Sequence, residues 1–162
     1  MKLCRHFFCV VVLCASVFAQ TNKSAVGIWK FDSTKSDLGR EAAPKSLTIT
    51  VLKDTPQLIS WRVSGEEHDG TPFAYWWHGP ADGSMHPVMS KTGKQGIQSA
   101  KKEQDGSLLR HGEEADGSSF DARSIISDDG NSMTDEITTK SKDGQETKQK
   151  YAYNRVKGKT AK

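Results

Sequence analysis

Val26-Gly27-Ile28-Trp29-Lys30-Phe31 reads as the first strand behind an apolar leader, and it carries Gly-x-Trp. Side chains on a strand alternate between faces, so Gly27 and Trp29 look the same way. The bare glycine leaves room for another segment to cross, and the indole offers a large surface for the remaining chain to close over.

Upstream, Lys2 and Arg5 precede a largely apolar run from Phe7 to Phe18 that ends in Val17-Phe18-Ala19. Charge, apolar run and small residues in that order form a secretory signal peptide, with the cut expected after Ala19. The run is short for a membrane span. Leu13 in front of Cys14 is too large for a lipid-anchoring signal. Residues 1–19 are therefore read as leader, 20–156 as one β domain and 157–162 as a basic tail, the product being secreted or periplasmic.

All three cysteines, Cys4, Cys9 and Cys14, fall in the leader, which excludes a disulfide framework or thiolate metal site from the domain. The formal net charge is +3, of which Lys2 and Arg5 supply two. With charges of both signs interspersed, no electrostatic footprint for nucleic acid is present, and a monomer is expected.

Six Asp-Gly pairs punctuate the domain, at Asp69, Asp82, Asp105, Asp116, Asp129 and Asp143, four of the five intervals spanning 11 to 14 residues. Asp tolerates tight turns and Gly supplies positive φ, so regularly spaced pairs describe an antiparallel meander. Between them, Leu47, Ile49 and Val51 alternate with threonines, and Ile59, Trp61 and Val63 alternate with Ser60 and Arg62, a period of two. Helix is expected only as a turn near Asp32 to Leu38, capped by Asp32. The Asp32–Lys45 connection is the only long one, and reads either as a lid or as plain surface loop. Consecutive antiparallel strands must close or leave adhesive edges. The predicted fold is thus an all-β, up-and-down barrel of about eight to ten strands, with a β-sandwich as the alternative. Trp29 in the first strand and Tyr153 with Arg155 in the last are expected to meet at the seam.

Gly27-Ile28-Trp29 early with Arg155 late resembles the lipocalin and calycin superfamily, in which such a tryptophan packs at the closed end of the barrel beneath a late arginine. Lys35-Ser36, Pro44-Lys45-Ser46-Leu47-Thr48, Gly79-Pro80-Ala81-Asp82-Gly83 and His86-Pro87-Val88 further resemble a group of short secreted bacterial proteins with no assigned function. The resemblance implies a cup for small ligands. Lack of a disulfide and scarcity of aliphatic residues depart from it, with Ser99, Arg110 and Ser124 falling inside strands.

For ligand contact the sequence nominates Trp61, Phe73, Tyr75, Trp77, Phe120 and Tyr151, since aromatic walls suit apolar molecules in barrel mouths. Plain core packing is the competing reading. Adjacent Trp76 and Trp77 must face opposite ways, so one is core and the other exposed. A three-residue Ala81-Asp82-Gly83 loop would set His78 across from His86. Two imidazoles fall short of a metal site unless His68, His111 or Glu113 joins them, so no metal or cofactor is assigned. Asp128-Asp129-Gly130 with Asp135 and Glu136 lacks calcium-loop spacing. No nucleophile elbow, zinc helix or phosphate loop is present, and no enzyme is inferred. The sequence points to an extracytoplasmic, noncatalytic binder of a small apolar molecule, or to an envelope interaction domain presenting Trp76 or Trp77.

Overall fold

In the computed structural model, residues 23–157 are described. The expected signal peptide and all but the first residue of the basic tail lie outside them. The strands are β1 (Gly27–Phe31), β2 (Ser46–Asp54), β3 (Ile59–Glu66), β4 (Pro72–Gly79), β5 (His86–Ser90), β6 (Gly93–Lys102), β7 (Leu108–Glu114), β8 (Ser119–Ile126), β9 (Ser132–Lys140) and β10 (Glu146–Arg155). Each pairs antiparallel with its neighbour in sequence and β1 pairs with β10, so the sheet closes. The barrel reading holds and the sandwich does not.

Closure follows from the first strand. Trp29 stands opposite Arg155 on one side and Ile49 on the other. It is fully buried, and its indole nitrogen donates to Ala25 O at 2.8 Å. The Arg155 guanidinium carbon lies 4.1 Å from the Trp29 ring centroid. From there it donates to the carbonyls of Gly130, Val26 and Ser24 at 2.7, 2.7 and 2.9 Å. Gly27 has φ +146°, and a Cβ there would come 3.0 Å from Arg155 Nη1. The space that glycine leaves is therefore taken by a guanidinium, not by a crossing strand.

Five of the Asp-Gly pairs close hairpins, and Asp82-Gly83 sits in the longer β4–β5 connection. Each of these glycines has positive φ. In Glu103–Ser107, for example, Asp105 Oδ1 accepts from the Ser107 amide at 2.9 Å and from its hydroxyl at 2.6 Å. The same amide contact recurs at Asp69, Asp82, Asp116 and Asp129. Turn chemistry accounts for these aspartates without an ion. Behind the Asp128-Asp129 turn, Asp135 is buried while Glu136 is exposed on the opposite face of β9.

One end of the barrel, where β1 begins and the β2–β3, β4–β5, β6–β7 and β8–β9 connections turn, is filled. Trp29, Ile59, Trp77 and Met133 pack there with Val51 and Tyr153. The Trp61 and Trp77 rings stack at 4.5 Å, and the Trp77 indole donates to Gln98 O at 3.0 Å. Such burial is the largest favourable term available to a chain poor in aliphatics.

The predicted cap is present, although the element is a single 3-10 turn, Ser33–Lys35, with Asp32 accepting from the Thr34 amide. The chain on either side of this turn speaks against a lid and, over the first half of the connection, against a free surface loop. Asp32 N donates to Ala152 O, and Asp37 exchanges both main-chain hydrogen bonds with Lys150. Ala152 N also donates to Ser36 Oγ at 2.8 Å. The first half of the Asp32–Lys45 connection is thereby stitched along β10 as an extension of the wall.

Candidate functional site: a cavity in the open half of the barrel

The opposite end, where the β3–β4, β5–β6, β7–β8 and β9–β10 hairpins turn, is not filled. A cavity of about 430 Å³ occupies it, lined mainly by inward residues of β4 to β10, with Ser118 of the β7–β8 turn and Ser119 at the start of β8 on its edge. No residue of Asp32–Lys45 is among the lining. At the filled end the remaining gap is about 50 Å³. A wider trough of about 610 Å³ lies against Asp37 and the outward-pointing Leu109, Asp121, Arg123, Glu136, Lys148 and Lys150 of β7 to β10, and touches Arg110, Ala122, Ile137 and Gln149 between them. It is a charged surface concavity open to bulk water, not part of the interior.

Tyr75, Phe120 and Tyr151 line the cavity. Tyr75 is 36% exposed, but its exposure is to the interior. Loss of water around the phenol pushes its pKa up to about 12. Burial raises Tyr151 and Tyr153 as well.

The other three aromatic nominees lie elsewhere, and each for a reason. Phe73 sits opposite Gly65, whose missing side chain leaves the gap its ring covers. Trp61 and Trp77 face inward but a layer lower, where their stack fills the closed half. Trp76 is the outward member of the tryptophan pair and is half-buried, aligned with Arg62 and Met89. Phe120 likewise covers a glycine, Gly112, in whose place a Cβ would meet the ring at 2.2 Å.

The histidine pairing is corrected by register. β4 and β5 align Tyr75 with Ser90 and Trp76 with Met89, one residue away from the alignment that would oppose His78 and His86. His78 therefore points outward, while His86 turns its edge to Trp77 at 6.2 Å and contacts Ser84 Oγ at 3.0 Å. His111 contacts Asp121 at 2.9 Å and Glu113 at 4.0 Å. No group of three metal-ligating side chains occurs among the described residues.

Sequence reading noted Arg110 inside a strand but passed over its partner and the buried glutamines. Arg110 enters from β7 and donates to Asp135 of β9 at 2.8 Å, with the guanidinium 5.9 Å from the Trp61 ring centroid. The pair separates the filled half from the cavity, since Arg110 lines both. Gln98 and Gln149 are buried and also line the cavity. The amide nitrogens of both, with Arg110 Nε and Asp135 Oδ1, have no hydrogen-bond partner among the described residues. A β-bulge between Val88 and Met89 adds Gln95 to the lining. The only available signal was strict alternation, which puts Gln98, Arg110 and Gln149 on inward faces; polarity argued the other way. At the rim stands Glu114, its carboxyl held above the usual range by burial and then by Asp116.

No helix among the described residues is long and apolar enough to cross a membrane. No protein-family profile matches the chain, and no curated protein does. Solved structures do. A redesigned β-barrel superposes with TM-score 0.52 at 10% identity, over 86% of this chain and 98% of that one. The wild-type fluorescent protein UnaG superposes with TM-score 0.52 at 14% identity, over 82% of this chain and 97% of its own. At such identity the likeness is one of fold, and the fold shared is a closed antiparallel β-barrel over nearly the whole length of each neighbour.

Proposed function

We propose that this protein is a noncatalytic, extracytoplasmic carrier of the lipocalin-like kind that holds one small molecule in the open half of its barrel. The observation behind it is the cavity of about 430 Å³ above a packed floor. Its size falls within the range of about 300–1,000 Å³ usual for small-molecule sites. Tyr75, Phe120, Ile137 and Tyr151 give the body of the ligand apolar surface to lie against. Export rests on the leader read at residues 1–19. Titration with a panel of small aromatic compounds, followed by intrinsic fluorescence, is expected to give saturable one-to-one binding. Thr139→Trp, which puts an indole into the mouth, is expected to abolish binding with the circular dichroism spectrum unchanged. Absence of saturation across the panel, or binding indifferent to Thr139→Trp, would sink the reading.

A further inference from the structure

The floor and walls of the cavity carry more information about the ligand than its volume does. Gln98 and Gln149 are 4% and 8% exposed, both line the cavity, and their amide nitrogens lack partners among the described residues. A buried carboxamide left without partners costs more than an apolar residue of the same shape, so two at one cavity are a liability to the fold unless something meets them. Their nitrogens are shut off from the void as placed, so a carboxamide has to turn to meet water or a guest there, and an apolar guest would give it nothing back. A carboxamide end both donates and accepts, and can turn to present either atom. The guest that satisfies it best offers both as well.

Charge narrows the choice further. Arg110 and Glu114 are the charged residues among the lining, and Arg110 is already bonded to Asp135 at 2.8 Å. An anionic guest would pass Glu114 at the rim and reach a guanidinium whose charge is matched; a cationic one would lie against that guanidinium. Neither finds an uncommitted counter-charge at depth, and burying a charge without one is expensive. Resting on the carrier reading, we propose that the bound molecule is uncharged and presents a carboxamide-like group, as in an amide, lactam or imide, to Gln98 and Gln149.

Calorimetric titration with 2-naphthamide, 2-naphthoate and 2-ethylnaphthalene, matched in size, tests it. The amide is expected to bind about tenfold tighter than either other compound, the gain from hydrogen bonds that only it completes. Gln98→Leu and Gln149→Leu, made singly and together, are expected to erase that preference while the thermal midpoint holds or rises. A merely structural role for the glutamines would lower the midpoint and leave the order of affinities alone. Binding of naphthoate or ethylnaphthalene as tightly as the amide, or a preference that survives the leucine variants, overturns the inference and leaves the carrier reading standing. No binding by any of the three overturns this inference, and the carrier reading falls with it only if the wider panel also fails to saturate.

Discussion

Arg155 joins parts of the chain that are distant in sequence, donating to Ser24, Val26 and Gly130 carbonyls while covering Trp29. Only a planar fork reaches several carbonyls and an indole face at once, so lysine is a poor substitute. Arg155→Lys is expected to lower stability by about 2 kcal/mol, a figure set by hydrogen bonds from charged donors. Gly27→Ala is expected to cost about 1–3 kcal/mol through backbone strain at a φ that suits glycine alone. Urea unfolding of both variants measures this, and a Gly27→Ala protein as stable as the parent would show that the seam tolerates a side chain. The Gly-x-Trp and late arginine were readable because strand alternation sets Gly27 and Trp29 on one face and closure brings the last strand beside the first. The partner of Gly27 was not, because a sequence shows the absence of a side chain but not what fills it.

The turns are the repeated element. Asp69, Asp82, Asp105, Asp116 and Asp129 are held below the usual carboxylate range by hydrogen bonds from residues of their own turns, the residue two positions on in most. Asp32 is lowered to about 2, chiefly by Thr34 and then Asn154. A depressed carboxyl favours the fold when ionised, so this stabilisation is complete above the unfolded value and is lost as pH falls through the folded one. Stability is therefore expected to be flat down to about pH 4 and to decline below it. Asp105→Asn with Asp116→Asn, which keeps the turn geometry but removes two titrating groups, is expected to give a shallower acid limb in urea melts at stepped pH. An unchanged limb would mean that the turns do not drive acid unfolding. These turns were legible because Asp-Gly has one dominant local solution. The β5–β6 turn at Lys91-Thr92-Gly93 lacks that signature, and in the longer β4–β5 connection the local rule did not fix the register, which moved His78 and His86 apart. That the first half of the Asp32–Lys45 segment belongs to the wall, and is neither lid nor free surface loop, was not legible because its pairing partner, β10, lies more than a hundred residues away.

At the scale of the molecule, all three tyrosines of the chain belong to β4 and β10, and all three are raised, burial being the first cause each time. The fold favours the neutral phenol, so this contribution is present below about pH 10, the unfolded value, and is lost as pH rises toward the folded ones. An ultraviolet titration is expected to show little tyrosinate at about pH 10.5, then a steep rise coincident with loss of circular dichroism. Ordinary tyrosine titration in protein that stays folded would contradict the buried setting of these rings. Closure and strand order were legible from alternation and turn spacing, but the division of the interior was not. Which inward positions fill the core and which face a void depends on the layer each occupies along the axis, and that is set by strand tilt and stagger. Hence Tyr75, Phe120 and Tyr151 reach the cavity while Trp61 and Trp77, of the same chemical kind, are consumed by the floor. The seam between β1 and β10 has one more consequence, because Lys23 ahead of the first strand and Val156 after the last both emerge beside the packed base. A grip taken at Lys23 or Val156 therefore meets the molecule at its base, like a vase held by the foot, with the opening at the far end from the point of attachment.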